Sequence, residues 1–267
     1  MLAAIEEKPA SLDSAVLDVR GATIQYKTGN VLVTATYRID FSVLRSDRFV
    51  LLGPSGCGKS TLLKAVGGYI RPVEGEIRLA GRPVTRPGPD RMMVFQEFDQ
   101  LLPWRTVLEN VMFPLREAGG MSRQDARDKA LAYVEKVGLT RVVNSYPHTL
   151  SGGMKQRVAI ARGMAMEPDI LLMDEPFAAL DSLTRRQMQD ELLQLWSDTK
   201  FTLLFVTHSI AEAIKIGNRI LLLSPHPGQV IAELNCPPLS GAALGWEGAF
   251  ETRIHGLLFP QEDAASA

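Results

Sequence analysis

The sequence predicts an α/β protein: a phosphate-loop core on a parallel-rich central sheet, preceded by an antiparallel β subdomain and interrupted by an inserted α-helical subdomain. Three observations carry that expectation. Short apolar runs at residues 48–52, 170–173, 201–206 and 219–223 have the length and continuity of strands buried on both faces. The first of them runs straight into Gly53-Pro54-Ser55-Gly56-Cys57-Gly58-Lys59-Ser60-Thr61 and then into a helical pattern, the order of strand, glycine loop and helix that a phosphate-binding loop requires. From about residue 97 to 168 the pattern turns helical, with capping signals at the start of each segment.

Taken in order, residues 1–13 read as an extension. They lack the basic and then apolar pattern of a secretory signal, so the chain is expected to stay in the cytoplasm. Residues 15–19, 22–26 and 37–43 read as strands, with polar breaks at 27–30 and 45–47. Tyr26 stands at the end of one of these. It reads equally as a platform for an aromatic base or as part of the core or rim.

In the glycine loop, Gly53, Gly56 and Gly58 let consecutive amides curl inward, toward the positive end of the helix that follows. Lys59 adds a mobile charge for β- and γ-phosphates, and the Ser60 hydroxyl suits Mg²⁺. The helix should stop at Gly67-Gly68, and a hairpin should turn at Ala80-Gly81. Residues 91–95 read as a buried strand ending at Gln96, whose amide oxygen can ligate a hard cation or hold a water.

In the helical section, Thr106 and Glu109 form a capping box, and Ser122 caps a second helix that Gly138 ends. Leu101, Leu102 and Trp104 around Pro103 suit either docking to another protein or packing within the insert. Leu150-Ser151-Gly152-Gly153 opens a further helix with Ser151 as N-cap and two glycines over the first-turn amides, a second potential anion grip.

The run at 170–173 ends in Asp174-Glu175-Pro176. Two carboxylates at the carboxyl end of a parallel strand can divide the work, Asp174 holding Mg²⁺ and Glu175 polarising the attacking water. Asp181 follows, and then an amphipathic helix with Met188, Leu192, Leu195 and Trp196 facing inward. The strand at 201–206 ends at Thr207-His208, where an imidazole can bond a γ-phosphate or position the nucleophile. A short helix at 210–216, a strand at 219–223, a turn at 224–228 and a tail helical over 250–258 complete the chain.

Composition limits the function classes. Across 267 residues the formal net charge is −1, so no global field favours nucleic acid. Two cysteines, Cys57 and Cys236, make no disulfide framework and suit a reducing compartment. No apolar run approaches the ~20 residues needed to cross a bilayer, so membrane association is expected through a partner.

Lys59, Gln96, the Leu150–Arg157 string, Asp174-Glu175 and His208 together resemble, in type and spacing, the nucleotide-binding subunit of an ATP-binding-cassette (ABC) transporter. The resemblance covers about residues 15–234. It implies an ABC ATPase domain at 14–234 with its helical subdomain near 97–168 and a tail at 235–267. It further implies ATP and Mg²⁺ as cofactors, Tyr26 as the adenine-stacking aromatic, Gln96 at the metal and water, and Asp181 in a loop touching an opposite subunit.

The family pairs two cassettes head to tail, so Lys59 of one copy and Ser151, Gly152 and Gly153 of another would hold one ATP. Implied partners are a second copy of the chain and integral membrane permease subunits docking near residues 96–104. A periplasmic or extracellular solute-binding protein is implied indirectly, and the chain is expected peripherally on the cytoplasmic face of the membrane. The strings at 95–104 and 223–228 are most similar to importers of the nitrate, sulfonate and taurine group. An alternative is a soluble ABC-type switch acting on nucleic acid or a protein complex. Arg45-Ser46-Asp47-Arg48 departs from the family's glycine-containing turn, which leaves that turn's shape open.

Overall fold

The computed structural model describes residues 15–29, 31–96, 98–118, 120–237 and 245–260. The extension expected over residues 1–13 lies outside them. Four strands, β1 (Ala15–Thr28), β2 (Val31–Leu44), β4 (Glu74–Leu79) and β5 (Arg82–Pro83), form an antiparallel sheet in the order β2-β1-β4-β5. The sequence pattern splits the first of these into two short runs, but it is one strand. Gly21, at φ 55°, lies where the pairing slips between Val19 and Ala22, so an irregularity takes the place of a break. Likewise β2 starts at Val31, six residues ahead of the expected run at 37–43, because Lys27 and Thr28 pair with Leu32 and Val31 across the hairpin.

The second sheet holds β3 (Arg48–Leu52), β6 (Arg91–Val94), β7 (Ile170–Asp174), β8 (Leu203–Thr207), β9 (Arg219–Leu223) and β10 (Val230–Asn235) in the order β10-β9-β3-β8-β7-β6. All its pairings are parallel except that of the edge strand β10. Its apolar runs have no polar alternation because both faces are covered. Phe49, Leu51, Leu172, Leu204 and Val206 enter a core shared with the first sheet and α1 (Lys59–Val66). Their neighbours Val50, Leu52, Leu171, Met173, Leu203 and Phe205 enter a second core beneath the remaining helices.

Those helices are α2 (Val107–Glu117), α3 (Arg123–Lys136), α4 (Gly152–Ala165), α5 (Ser182–Thr199), α6 (Ile210–Ile216) and α7 (Trp246–Leu258). The expected caps are present: Thr106 and Glu109 make the reciprocal box, Ser122 accepts from the Asp125 amide, and Gly138 takes φ 69°. α2, α3 and α4 bury Val111, Leu115, Ala126, Ala130 and Val134 among themselves. Leu101 is buried there too, so that end of the stretch packs within the insert, whereas Trp104 is 70% exposed. α7 starts four residues earlier than the expected 250–258 and packs Ile254 and Leu258 into the large core beside α6.

The turn left open at 45–48 closes without glycine. Ser46 adopts φ 64°, its amide donates to Thr202 Oγ1, and its hydroxyl donates to the Lys200 carbonyl. Asp47 then accepts from the Leu44 amide, from Asn218 and from Arg219 Nη1 at 2.7 Å, with both members of that ion pair buried. Several charge-assisted bonds offset the cost of burying the pair. Among the described residues no helix is long and apolar enough to cross a membrane.

Candidate active site

The carboxyl ends of three adjacent parallel strands, β3, β8 and β7, converge on one edge of the sheet, where open α/β sheets bind ligands. The glycine loop leaves β3, His208 leaves β8, and Asp174-Glu175 closes β7. Side chains as far apart in sequence as Ser60 and Asp174, 114 residues, therefore meet only through the order of strands.

A cavity of ≈ 200 Å³ opens there, lined by Tyr26, Ala35, Ser55, Gly56, Gly58, Lys59, Ser60, Thr61, Glu175 and His226. Gly58, at φ 99°, is the N-cap of α1 and leaves its first-turn amides without a side-chain cap. A Cβ at Gly58 would overlap the Ala35 carbonyl, so glycine is required for the loop to lie against β2. Lys59 is 4% exposed, and Nζ donates to the Gly53 carbonyl at 2.8 Å and the Pro54 carbonyl at 2.9 Å. An ammonium has three donors, and the third meets the weak acceptor Cys57 Sγ at 4.0 Å, so it can turn to the cavity it lines.

Ser60 Oγ donates to Asp174 Oδ1 at 2.7 Å. Burial pushes the Asp174 carboxyl above its usual range, against the pull of that hydrogen bond; neighbouring Glu175 adds to the rise. Glu175 adopts φ 43°, a left-handed conformation that few non-glycine residues hold, with its amide donating to the Val206 carbonyl at 3.0 Å. Its carboxylate lies between two groups. His208 Nδ1–H donates to Oε2 at 2.9 Å, and Lys59 Nζ stands 4.0 Å from Oε1. Behind His208, the buried Glu212 carboxylate accepts from Thr207 Oγ1 and, at 3.0 Å, from Gln189 Nε2, tying the end of β8 to α5.

The other sequence-predicted site residues stand elsewhere. Gly53, Pro54 and Cys57 belong to the loop but do not line the cavity; the Cys57 side chain is buried beneath it, and burial raises its thiol pKa. Gln96 is exposed just past β6. Ser151 caps α4 through the Met154 amide at 3.3 Å, and Asp181 caps α5 through the Leu183 and Thr184 amides at 3.1 and 3.0 Å. Neither they nor Gly152 and Gly153 reach the cavity.

Sequence reasoning missed Gln100, whose side-chain amide accepts from the Phe95 amide and donates to the Phe95 carbonyl at 2.8 Å, fixing the loop that carries Gln96. It also missed His226 at the cavity. The turn at 224–228 was visible, but not the face it presents.

The profile of the family described as ABC transporter matches residues 37–178. A protein named taurine import ATP-binding protein TauB, from Rhizobium johnstonii, is 49% identical over 203 residues, 76% of this chain and 77% of that one. A bicarbonate transport ATP-binding protein, CmpD of Synechocystis, is 40% identical over 229 residues, 85% of this chain and 80% of its own. Among solved structures, a bacterial ABC transporter cassette described as dimeric superposes with a TM-score of 0.72 at 34% identity, covering 84% of this chain and all of that one.

Proposed function

For a chain that belongs to the ABC transporter family as an ATP-binding, ATP-hydrolysing subunit, we propose that hydrolysis drives import of a small anion or organic solute of the taurine and sulfonate type through a separate membrane permease. The observation that carries the reading is that Lys59, Ser60 and Glu175 line one cavity, with Asp174 bonded to Ser60 and His208 to Glu175 behind them, while a second anion grip at Ser151 lies away from it.

In this reading Lys59 and the loop amides hold the β- and γ-phosphates, and Tyr26, 42% exposed at the cavity's edge, stacks on the base. Glu175 takes the proton of the attacking water, and His208 orients that carboxylate and the γ-phosphate end. Among the described residues no cluster of three or more His, Cys, Asp or Glu forms a metal cage. The neighbouring oxygens of Ser60 and Asp174, with Gln96 beyond, fit Mg²⁺ that keeps water and phosphate oxygens in its shell. When bound, Mg²⁺ supplies charge neutralisation at the phosphates.

The free helix tip of Ser151, Gly152 and Gly153, and the Asp181 loop, belong in this reading to the site of a second copy. The dimeric description of the similar cassette supports that pairing. Permease subunits dock on the face carrying Gln96 and Trp104, and a solute-binding protein delivers the cargo to them. Light scattering tests the pairing. A Glu175→Gln variant with ATP and Mg²⁺ should run as a dimer and the ADP form as a monomer, whereas a monomer in both removes the proposed closing step. Loss of ATP-dependent taurine or sulfonate uptake on deleting the chain tests the cargo class.

A further inference from the structure

The loop between β9 and β10 is fastened to the phosphate loop and to β2 together. The Gly228 amide donates to the Ala35 carbonyl at 3.0 Å, and the Tyr37 amide donates to the Gly228 carbonyl at 2.9 Å. A Cβ at Gly228 would overlap the Cys57 carbonyl, so the loop backbone rests directly on the phosphate loop. Within the loop, Ser224 Oγ accepts from the Gln229 amide at 3.0 Å, and the Ser224 amide donates to the Gln229 carbonyl at 2.9 Å. The frame is fixed, and it holds His226 at the cavity.

The imidazole has no hydrogen-bond partner among the described residues and is exposed. Register says which end of the cavity it serves. Gly228 bridges Thr36 on β2, and Tyr26 pairs with Val33 on the same strand, so the loop and the tyrosine flank one side of the phosphate loop. Glu175 follows β7, which lies across β3 from β9, and Lys59 and Ser60 open α1 facing it.

We propose that His226 is a specificity-determining residue that contacts the nucleoside half of the bound nucleotide, opposite the residues that hold its terminal phosphates. An imidazole suits that place. It has one ring nitrogen to donate and one to accept, matching ribose hydroxyls, and a flat face that lies against a sugar or base.

The inference rests on the nucleotide reading of the cavity, and the test separates the two. Calorimetry would compare ATP, ADP and inorganic tripolyphosphate on the full chain and on His226→Ala, His226→Gln and Lys59→Ala variants. Losing one hydrogen bond weakens binding about three- to tenfold. Expected is that loss for ATP and ADP alike in His226→Ala, unchanged tripolyphosphate binding, and recovery of most of the affinity in His226→Gln. An equal loss for tripolyphosphate would move the imidazole to the phosphates and overturn the assignment. So would unchanged ATP binding in His226→Ala while Lys59→Ala loses it. If Lys59→Ala also binds ATP unchanged, the reading of the cavity itself fails, and this inference with it. The exposed imidazole carries none of the loop's internal bonds, so His226→Ala should melt with the parent chain.

Discussion

The phosphate-loop half of the molecule and the half bearing the Ser151 helix tip both present helix N-termini that suit anions, yet they are built differently. Around Lys59 the reactive groups are tied to one another or to the loop: Ser60 to Asp174, Glu175 to His208, Lys59 to the Gly53 and Pro54 carbonyls. The Ser60–Asp174 tie spans 114 residues and the Glu175–His208 tie 33, and both are held by a sheet buried on both faces. At the other half, Ser151 and Asp181 bond only within their own helix caps. In the first half the chain joins its own distant residues. The second is a surface whose polar groups are set locally and turned outward, which is what a grip shared with another copy requires.

The sharpest way to break that contrast is to disable chemistry in the first half while sparing its binding. Glu175→Gln keeps the shape but loses the proton acceptor, and general-base catalysis contributes about 100- to 10,000-fold. ATPase turnover should fall by that factor with nucleotide affinity retained; steady-state hydrolysis at the parent rate would remove Glu175 from its role.

In the second half, Gly152→Asp separates fold from function. An acid in the first turn of α4 complements the helix dipole, and aspartate is a better helix residue than glycine, so the melting temperature should hold or rise. Against a triphosphate held by a second copy, the same charge is repulsive by several kcal/mol, and turnover should drop about 100-fold. ATP affinity of the isolated chain should stay as it was. A variant that melts early, or hydrolyses ATP normally, would collapse the distinction between the two halves.

The same distinction explains how much could be read in advance. Local signals survive in sequence: the apolar runs of β3, β7, β8 and β9, the Thr106 box, and the Ser122 and Ser151 caps each depend on a handful of neighbouring residues. The glycine loop is legible for that reason, and the family resemblance joined it to Asp174 and His208. What stayed hidden depends on distant contacts. Gly21 resembles a strand break until pairing with β2 absorbs it, and Ser46 replaces a turn glycine only because Thr202 and Lys200 brace it. Glu175 at φ 43° has no residue-type signal at all, and neither does His226 at the cavity.

A smaller effect sharpens the assignment at the edge of the first half. Base stacking on an aromatic is worth about 1–3 kcal/mol by alanine substitution. Tyr26→Ala should therefore weaken ATP and ADP binding about tenfold, and Tyr26→Phe should restore it. Fluorescence titration with a labelled adenine nucleotide would read both, and equal affinities would return Tyr26 to the rim of the β sheet.

The smallest expected effect tests whether the first half is tuned for binding at the expense of stability. Burial holds the Asp174 carboxyl above its ordinary value of 3.8. A carboxyl with a raised folded pKa contributes fully to stability below its unfolded value, and that contribution is lost as pH rises through the folded one. At neutral pH the ionised group is therefore a cost to the free chain. Asp174→Asn removes the charge and keeps an oxygen to accept from Ser60, so it should stabilise the free chain at pH 7 by about 1 kcal/mol, a melting shift of about 2–4 °C. The gain should shrink as pH is lowered and the parent carboxyl takes up its proton, which the raised pKa brings on at a higher pH than in the unfolded chain. With ATP and Mg²⁺ added the order should reverse, because the parent chain binds and the variant has lost a ligand oxygen with charge. A variant less stable than its parent at pH 7 without nucleotide would mean that the carboxylate serves the fold, and the contrast between an internally tied site and an open surface would lose its energetic footing.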